Sequence, residues 1–551
     1  MSYTAHADTF ARDHLPPREQ WPDFLFERPE VRYPERMNCA TELLDRMASG
    51  AAGERPALRA LRADGTPAAA TYRQVLVRAN QIAHVIRHDW QLPAGTRVLL
   101  RGANNPMMAA CWFGVMKAGC IAVATMPLLR AKELRQIIDK ARIAAALCDA
   151  GLREELEAAR QQCPVLEKIL HFNSAADSGL EARLAGKPET FDNVDTAADD
   201  VALIAFTSGT TGQPKGTVHF HRDVMAMCDL FPRSCLKPRP TDIFCGTPPL
   251  AFTFGLGGML CFPFRAGAST VLSERLTPEG LLKTIQDFKA TICFTAPTFY
   301  RMMAPLAGRY DLSSLKKCVS AGEALPDATR QLFKQATGIE IIDGLGSTEM
   351  IHIFISHSPA RVRRGATGYA IPGYRATVLD EHGQPCPPGV VGRLAVKGAT
   401  GCRYLADERQ KDYVQNGWNI TGDAYRMDED GYFYYQARTD DMIISAGYNI
   451  AGPEVEAALL EHEAVAECGV VGKPDAERGE IVKAYVVLKS NVTADTRLAG
   501  ELQDYVKRSI APYKYPREIE FVAVLPRTET GKLQRFRLRE LARGEAVERS
   551  S

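Results

Sequence analysis

The ten residues Thr207-Ser-Gly-Thr-Thr-Gly-Gln-Pro-Lys-Gly216 are the most informative stretch of this chain, and they follow the apolar run Val201–Phe206, which predicts a buried strand. Three glycines and five hydroxyl or amide side chains surround one lysine, so the segment could wrap a polyphosphate with backbone N–H groups, hydroxyls and an ammonium group. The spacing differs from the Walker loop, because Gln213-Pro214 separates Gly212 from Lys215. A cluster of Ser, Thr and Gly is also typical of loops without a ligand. A strand that leads straight into such a segment favours a phosphate-binding loop in an α/β protein.

The bulk composition limits the class of protein. The chain has 551 residues, which is too long for one hydrophobic core and predicts two or more domains. Hydrophobic residues make up 46% and charged residues 24% of the chain, as in soluble globular proteins. The net charge of +1 gives no electrostatic basis for binding nucleic acid or an anionic membrane.

Cysteines and apolar stretches indicate the compartment. The 14 cysteines are scattered without a Cys-x-x-Cys pair or a His cluster at metal spacing, so we expect small buried apolar side chains in a reducing compartment. Met1–Trp21 carries acidic residues and no apolar core, so no signal peptide is expected. Lys117 interrupts the most apolar stretch, Met107–Leu129, which predicts a buried helix, a turn and a strand rather than a membrane span. The expected location is cytoplasmic.

Helical patterns alternate with short apolar strands over most of the chain. Thr71–Asp89 predicts an amphipathic helix and Arg97–Arg101 a strand, followed by a helix over Lys132–Ala141 and a strand over Ala144–Cys148. Similar alternation continues as far as the strand predicted at Glu340–Ile342. This pattern is typical of an α/β fold, in which helices cover largely parallel sheets.

The pattern of predicted secondary structure changes towards the C-terminus. From Ala376 onward, shorter strands and tight turns indicate a β-rich subdomain, and after Asp440 helices over Pro453–Leu460 and Thr496–Ile510 alternate with strands. The predicted fold class is therefore α/β, with a large N-terminal domain of parallel-rich sheets and helices plus a β-rich subdomain, and a small α+β C-terminal domain.

Further candidate site residues stand in three glycine-containing segments. Asp343-Gly-Leu-Gly-Ser-Thr-Glu349 follows a predicted strand, and Glu349 suits magnesium, which prefers one or two carboxylates plus phosphate oxygens. A carboxylate at a helix N-terminus is the commoner role of a single Glu there. In Trp418-Asn-Ile-Thr-Gly-Asp423 the carboxylate could accept from both hydroxyls of a ribose, although Gly-Asp alone predicts only a turn. The glycine of Ser320–Pro326 could let a loop approach a flat ligand closely, although a plain turn is the commoner role of such a segment.

Taken together, these segments resemble the adenylate-forming superfamily, which includes acyl-CoA synthetases, adenylation domains and luciferases. Ser208–Gly216 resembles its phosphate loop, Gly346–Glu349 its Gly-x-Thr-Glu motif and Thr421–Asp423 its Thr-Gly-Asp motif. Ser445–Ile450 resembles its pantetheine-tunnel loop, and Pro526–Lys532 its C-terminal Pro-x-x-x-x-Gly-Lys signature. The matches follow the superfamily's order across nearly the whole chain.

The resemblance implies ATP, Mg²⁺ and coenzyme A as cofactors and assigns roles to individual residues. Thr348 would contact the α-phosphate, Glu349 would bind Mg²⁺, and Lys532 would be the catalytic lysine. Asp440 would be the hinge between an ATP- and acyl-binding domain, 1–439, and a mobile lid domain, 440–551, in which Gly447 lines the pantetheine path. The implied nucleotide-binding residues are Thr207, Ser208, Gly209, Thr210, Thr211, Gly212, Lys215, Gly322, Glu323, Asp343, Gly344, Asp423 and Arg438.

The implied reaction activates a carboxylic acid in two half-reactions. AMP from Mg·ATP is transferred to the carboxylate, the lid then rotates, and the thiol of coenzyme A attacks the acyl-adenylate. Because the carboxylate and the phosphates repel each other, catalysis depends mainly on neutralising charge and on in-line positioning. The context of Lys532 also resembles one in which superfamily members are switched off by acetylation, so a lysine acetyltransferase acting on Lys532 is a further expected partner.

The acyl pocket decides which acid is used. In Pro249–Gly255, Phe252 replaces the superfamily's histidine, so either an aromatic gate or a pair of core phenylalanines is expected there. A lone histidine in an apolar segment is usually a hydrogen-bonded core residue, but the context of His352 resembles the benzoate- and 2-aminobenzoate-CoA ligase branch. A short, flat, apolar slot with polar points suits a small aromatic carboxylic acid, and the resemblance over the whole chain favours 2-aminobenzoate. The predicted acyl-binding residues are Phe252, Thr253, Phe254, Ala321, Gly346, His352 and Ile353.

Three alternatives stay open on the sequence alone. The first is a benzoate- or medium-chain acyl-CoA ligase. The second transfers the adenylate to a carrier-protein thiol, although no carrier domain follows Ser551 in this sequence. The third is a non-catalytic nucleotide-binding scaffold, against which the complete set of motif residues argues.

Overall fold

The computed structural model describes residues 3–61, 65–207, 214–274, 276–438, 441–445, 448–475, 478–490, 492–510, 512–527 and 533–544. The strands are β1 (Pro56–Leu61), β2 (Pro67–Thr71), β3 (Arg97–Arg101), β4 (Ile121–Thr125), β5 (Ala145–Asp149), β6 (Lys168–Phe172), β7 (Val201–Thr207), β8 (Lys215–Phe220), β9 (Ile243–Gly246), β10 (Ser269–Val271), β11 (Ile292–Thr295), β12 (Lys317–Ala321), β13 (Ile341–Gly346), β14 (Ile353–Ser356), β15 (Tyr369–Ala370), β16 (Tyr374–Leu379), β17 (Val391–Gly398), β18 (Val414–Gln415), β19 (Trp418–Met427), β20 (Phe433–Arg438), β21 (Ile443–Ser445), β22 (Tyr448–Ile450), β23 (Val465–Asp475), β24 (Gly479–Leu488) and β25 (Glu518–Phe521).

The α-helices are α1 (Phe10–Asp13), α2 (Arg46–Ala48), α3 (Tyr72–His84), α4 (Pro106–Lys117), α5 (Ala131–Ala141), α6 (Arg153–Arg160), α7 (Leu180–Leu184), α8 (His221–Asp229), α9 (Thr253–Leu256), α10 (Phe262–Ala266), α11 (Pro278–Phe288), α12 (Pro297–Met303), α13 (Asp327–Thr337), α14 (Gln410–Tyr413), α15 (Gly452–Leu460), α16 (Thr496–Ser509) and α17 (Arg535–Ala542).

Two mainly parallel sheets form the centre of the larger part of the chain. The six-stranded sheet has the order β6-β5-β3-β4-β7-β8, with β8 antiparallel to β7 at one edge. The nine-stranded sheet has the order β15-β14-β13-β12-β11-β9-β10-β1-β2, in which β13 to β1 are parallel and the strands at both ends are antiparallel. Parallel strands are typically buried on both faces, and every residue of β3 is buried here.

Two five-stranded sheets follow in the chain. The antiparallel sheet runs β16-β17-β19-β18, with β20 on β19, and the C-terminal sheet runs β22-β21-β24-β23, with β25 on β24. The C-terminal sheet and helices α15 to α17 make the compact α+β unit that the sequence predicts. The predicted α/β fold class is therefore confirmed for the described residues.

Helices α3 and α4 show how the sequence fixes local structure and packing. Thr71 and Gln74 form a capping box at the start of α3, which satisfies backbone N–H groups that lack helical partners. Gly114 lets α4 lie directly on α3, because a Cβ atom there would stand 2.5 Å from Cγ2 of Ile82. The apolar stretch Met107–Leu129 is thus a buried helix and strand, as predicted. Within the described ranges, no helix is long and apolar enough to cross a membrane.

The cysteines also match expectation, but two glycine-rich segments differ from it. All 14 cysteines are free, and all except the half-buried Cys386 are buried. The predicted strand ending at Ile342 continues to Gly346, because β14 pairs with it on the far side. Gly422 and Asp423 lie inside β19 rather than in a turn, since β20 pairs with that segment. Cross-strand pairing overrides the weak strand propensity of Gly and Asp in both places.

Candidate active site

The predicted phosphate loop connects two antiparallel strands at an edge of the six-stranded sheet. Thr207, the last residue of β7, pairs with Lys215, the first residue of β8. Side chains alternate along a strand, so Lys215, Thr217 and His219 share one face of β8. The part of the chain that the structure describes excludes the predicted nucleotide-binding residues Ser208, Gly209, Thr210, Thr211 and Gly212.

Lys215 and Glu349 meet through Tyr404. The Nζ of Lys215 donates to the Tyr404 hydroxyl at 3.3 Å, and that hydroxyl donates to Oε1 of Glu349 at 2.6 Å. A backbone bridge to Thr217 holds Tyr404 beside β8. Burial and the charge of Glu349 raise the pKa of the Tyr404 hydroxyl far above its usual range, so it stays protonated and donates. The predicted phosphate cation and the predicted magnesium ligand therefore belong to one hydrogen-bonded unit.

The turn that follows β13 has a strained backbone. Ile351 has a φ of 64°, a left-handed conformation that is rare for a β-branched residue. The side chain of Ser347 accepts from the N–H of Met350 at 3.2 Å, and Nε2 of His219 lies 2.7 Å from the carbonyl oxygen of Thr348. Strain of this kind persists only where the surroundings impose it, and it is concentrated at functional sites.

The ends of β12 and β13 bring further predicted residues together. Ala321 pairs with Gly344 in the parallel ladder. Gly322 follows with a φ of 90°, a conformation that glycine adopts without a steric penalty. Glu323 accepts from the Thr298 hydroxyl at 3.0 Å. These residues lie at the C-terminal ends of parallel strands in the nine-stranded sheet. Open α/β sheets bind their ligands at this end of the strands.

Asp343 is a buried acid with altered protonation. Burial raises the pKa of its carboxyl to about 8, although the N–H of Gly344 donates to Oδ1 at 3.1 Å. At neutral pH the side chain is therefore mostly a neutral acid, which can both donate and accept a hydrogen bond. Such a group suits a heterocycle that carries both kinds of hydrogen-bonding atom.

Asp423 and Arg438 lie opposite each other on β19 and β20, with Oδ1 and Nη1 3.3 Å apart. Burial raises the pKa of Asp423 to about 6, and the charge of Arg438 opposes this shift. Gly422 has a φ of 76° and lets the guanidinium approach, because a Cβ atom there would stand 3.0 Å from Nη2 of Arg438. The structure thus brings the two predicted ribose-contacting residues together, and Asp423 is an ionised acceptor above about pH 6.

The predicted acyl-binding residues lie around α9 and β14. Phe252 precedes α9, which begins at Thr253. Nε2 of His352 donates to the carbonyl oxygen of Phe254 at 3.3 Å, and the two rings are 5.6 Å apart. Burial lowers the pKa of His352 to about 3, so its imidazole is neutral. His352 also packs edge-on against Phe262 at 4.5 Å, as part of an aromatic cluster.

Ile353 and two glycines of β13 form the adjoining surface. Ile353 pairs with Gly346 across the antiparallel ladder. Its side chain covers Gly344, because a Cβ atom on Gly344 would stand 2.5 Å from Cδ1 of Ile353. Ala321 and Ile353 are both buried, with 4% and 2% of their surface exposed. Pairing along three neighbouring strands therefore joins the predicted adenine side and acyl side of the site.

The C-terminal unit approaches the same ends of the parallel strands in the nine-stranded sheet. Nη1 of Arg527 lies 3.9 Å from Oε1 of Glu323, and its Nη2 lies 2.6 Å from Oε2 of Glu467. Arg527 also pairs with Leu533 across a backbone bridge. The predicted catalytic Lys532, hinge Asp440 and pantetheine residue Gly447 lie outside the described residues.

The sequence alone did not point to Tyr404 and His219. The alternation of side chains along β8 could have placed His219 on the face of Lys215. Tyr404 carries no such signal, since it lies in an irregular segment that only tertiary contacts bring to the site.

The residues present fit magnesium-bound ATP. Lys215 offers a cation to the phosphates and Glu349 a carboxylate to the metal. Among the residues that the structure covers, no group of three or more His, Cys, Asp or Glu side chains could hold a metal ion by itself. One carboxylate suits a magnesium ion that is bound largely through phosphate oxygens and water.

Family models and a curated relative give one assignment. Residues 45–403 match the model of the AMP-binding enzymes, and residues 454–532 match that of the AMP-binding enzyme C-terminal domain. The benzoate–CoA ligase of Thauera aromatica is 34% identical over 518 residues, which cover 93% of this chain and 97% of that protein.

Solved structures agree with this assignment. The anthranilate CoA ligase AuaEII, in complex with anthranoyl-AMP, matches with a TM-score of 0.89 at 34% identity, covering 94% of this chain and 99% of that one. A benzoate CoA ligase from Burkholderia xenovorans LB400 matches with a TM-score of 0.82 at 30% identity, covering 92% and 100%. The chain therefore belongs to the AMP-binding enzyme family, in its branch of adenylate-forming acyl- and aryl-CoA ligases, and is an AMP-forming acid–thiol ligase that uses ATP, Mg²⁺ and coenzyme A.

Proposed function

We propose that this chain converts 2-aminobenzoate into its coenzyme A thioester through an acyl-adenylate. The observation that carries the acyl-adenylate chemistry is the hydrogen-bonded unit of Lys215, Tyr404 and Glu349, beside the end of β7 and the start of β8. In this proposal residues 1–439 form the ATP- and acyl-binding domain, and residues 440–551 form the lid domain, which hinges at Asp440.

The first half-reaction joins a carboxylate to the α-phosphate, so like charges must be brought together. Magnesium, when bound, supplies positive charge to the phosphate oxygens. Lys215 and the N–H groups of the phosphate loop hold the departing pyrophosphate, and Thr348 orients the α-phosphate. Lys532 neutralises the substrate carboxylate and the α-phosphate together. Removing this repulsion in a prepared site supplies most of the rate gain in phosphoryl-type transfers.

The second half-reaction needs a different lid position. Rotation at Asp440 withdraws Lys532 and brings Gly447 to the path of the pantetheine arm, whose thiol attacks the acyl carbon and releases AMP. In this structure, Arg527 contacts Glu323, so the segment just before Lys532 lies against the nine-stranded sheet beside the predicted nucleotide-binding residues. The orientation in this structure is thus the one we assign to adenylation.

The tautomer of His352 supports the choice of acid. Because a carbonyl oxygen only accepts, Nε2 must carry the proton that it donates to Phe254. Nδ1 is then a buried acceptor with no hydrogen-bond partner among the residues that the structure describes. An ortho amino group has a hydrogen to donate to such an atom, whereas benzoate leaves it unpaired at a cost of roughly 1–3 kcal/mol. The relatives named for anthranilate and benzoate are compatible with an aromatic ring in this pocket.

The test of the proposed function is AMP release with coenzyme A across 2-aminobenzoate, benzoate, hydroxybenzoates and hexanoate. We expect the highest kcat/KM for 2-aminobenzoate, a lower value for benzoate and much lower values for linear acids. Hexanoate as the best substrate would replace the aryl proposal by the medium-chain alternative. Turnover only with a carrier-protein thiol would favour the second alternative, and no pyrophosphate exchange with any acid would favour a scaffold.

A matched pair of substitutions tests the role of His352. His352→Leu removes the Nδ1 acceptor, while His352→Asn has nearly the shape of leucine and keeps an acceptor oxygen close to that position. We expect His352→Leu to reduce the preference for 2-aminobenzoate over benzoate by about 10-fold, and His352→Asn to retain most of it, because one hydrogen bond is worth about 1 kcal/mol or more. The kcat/KM ratio of the two acids measures the effect. Equal preference in the two variants would contradict the role of Nδ1.

Tyr404→Phe tests the link between Lys215 and Glu349. The variant keeps the aromatic packing and removes the hydroxyl that donates to Glu349. We expect kcat/KM for adenylation to fall by about 10-fold or more, since hydrogen bonds to charged groups contribute roughly 1.5–3 kcal/mol. Tyr72→Phe is the control, because that hydroxyl donates to backbone carbonyls within the core. A Tyr404→Phe enzyme with normal pyrophosphate exchange would show that the link has no function.

Acetylation of Lys532 stays a prediction from the resemblance alone. Acetylation would remove the charge on which adenylation depends. Homogeneously acetylated enzyme should therefore fail in pyrophosphate exchange and recover on deacetylation.

A further inference from the structure

His219 is a fully buried, titratable side chain that none of the steps above uses. Its exposed fraction is 0%, and it lies on β8 on the same face as Lys215. Its Nε2 lies 2.7 Å from the carbonyl oxygen of Thr348. Because that oxygen only accepts, Nε2 must carry the proton and donate it. His219 therefore joins the six-stranded sheet to the turn that carries Glu349.

This hydrogen bond acts on the peptide unit that leads into Glu349. The carbonyl of Thr348 and the N–H of Glu349 belong to one planar group, so a bond to the first fixes the direction in which Glu349 leaves the backbone. The same turn contains the left-handed Ile351 with its φ of 64°. A strained turn keeps its conformation only when its surroundings hold it, and His219 is one of the groups that hold this one.

A buried ion pair lies beside the other ring nitrogen of His219. Oδ2 of Asp223 lies 3.8 Å from Nδ1 of His219, accepts from the N–H of Phe220 at 2.8 Å and pairs with Nη2 of Arg403. The side chains of Asp223 and Arg403 are 0% exposed. Arg403 immediately precedes Tyr404 in the chain. The ion pair therefore joins helix α8 to the segment of Tyr404, next to His219.

We propose that His219 is a positioning residue for adenylation, which rests on the function proposed above. His219 fixes the backbone of Glu349, while Tyr404 fixes its carboxylate, so that the carboxylate faces the magnesium ion when Mg·ATP binds. Its contribution belongs to the first half-reaction, because the attack of a thiol on a preformed adenylate does not use the metal. The effect should therefore appear in the magnesium requirement rather than in thioester formation.

The test compares His219→Gln with His219→Leu in the full-length enzyme. The glutamine amide can place an N–H close to the position of Nε2, whereas leucine cannot donate. We expect His219→Leu to raise the Mg²⁺ concentration for half-maximal pyrophosphate exchange and to lower kcat, each by about 10-fold, as the loss of one hydrogen bond to a buried acceptor predicts. His219→Gln should stay within about 3-fold of wild type. Thioester formation from preformed acyl-adenylate should change little in both variants.

The control is His221→Leu, which alters an equally buried histidine. Nδ1 of His221 accepts from the N–H of Cys39 at 3.2 Å, so this substitution also leaves a buried group unpaired. We expect it to lower the midpoint of thermal unfolding without changing the magnesium requirement. An unchanged magnesium requirement in His219→Leu would reduce His219 to a structural residue and overturn the proposal.

A second variant covers the case in which His219→Leu does not fold. His219→Asn keeps a polar side chain, but its amide is too short to reach Thr348, so we expect the magnesium defect that His219→Gln lacks. Equal defects in His219→Asn and His219→Gln would overturn the proposal. A wild-type enzyme that adenylates no acid would overturn the proposed function instead, and this outcome is distinguishable before any variant is made.

Discussion

Lys532→Ala should lower the rate of adenylate formation by roughly two to three orders of magnitude, as the loss of one charged transition-state contact does in comparable sites. The proposed role explains the size of the effect, because it assigns to Lys532 the neutralisation of both the substrate carboxylate and the α-phosphate. Thioester formation from preformed acyl-adenylate should be nearly unchanged, since in the proposed mechanism Lys532 leaves the site before that step. Pyrophosphate exchange measures the first reaction, and thioester release measures the second.

Lys514→Ala is the matched control for this experiment. Lys514 belongs to the same C-terminal unit and forms an ion pair with Glu454 at 2.6 Å. Its loss should cost only a few tenths to about 1 kcal/mol of stability, as partly exposed ion pairs do, and should leave both half-reactions intact. If Lys532→Ala impaired both half-reactions to the same degree, the assignment of two lid positions would be wrong.

Local patterns in the sequence were enough to predict the α/β architecture. Strand β3 and helix α3 are specified by their own residues, through a short apolar run in one case and a capping box with an amphipathic repeat in the other. The end of β13 could not be predicted in this way. Its glycine-rich residues read as a loop, and pairing with β12 on one side and β14 on the other makes them a strand.

Local motifs predicted some residues of the site, whereas tertiary contacts bring in others. The resemblance named Lys215, Glu349, Asp423 and Arg438. In the structure, Tyr404 bridges Lys215 and Glu349, and Asp423 forms an ion pair with Arg438. Tyr404 links Lys215 to Glu349 from an irregular segment, so no periodicity in the sequence could identify it. The family assignment and the enzyme class are confirmed, while the individual roles of these residues and the choice of acid stay proposals.

Glu349→Gln should have an effect of similar size, a loss of about 10²–10³-fold in kcat/KM for adenylation, comparable with the removal of a preorganised charge from other active sites. Glutamine has the shape of glutamate and keeps an oxygen that can accept from Tyr404. The substitution therefore removes the charge that we assign to binding the metal and little else. Thioester formation from preformed acyl-adenylate should persist.

The burial of Glu349 strengthens the interaction of its charge with a bound cation. Only 8% of the residue is exposed, so water screens the carboxylate poorly and its attraction to a bound cation is strong. Glu340→Gln is the control, because that carboxylate pairs with Lys334 at 2.9 Å and Arg330 at 3.5 Å, at the opposite end of β13. Its activity should match the wild type.

The double variant Tyr404→Phe, Glu349→Gln separates a metal ligand from a mere hydrogen-bond acceptor. If Tyr404 acts by holding the charged carboxylate, removing the hydroxyl should cost much less once the charge is gone, and the two losses should not add. Fully additive losses would mean that Tyr404 and Glu349 act independently. If Glu349→Gln kept the wild-type magnesium requirement, Glu349 would not be the metal ligand, and its bond to Tyr404 would serve only to hold the turn.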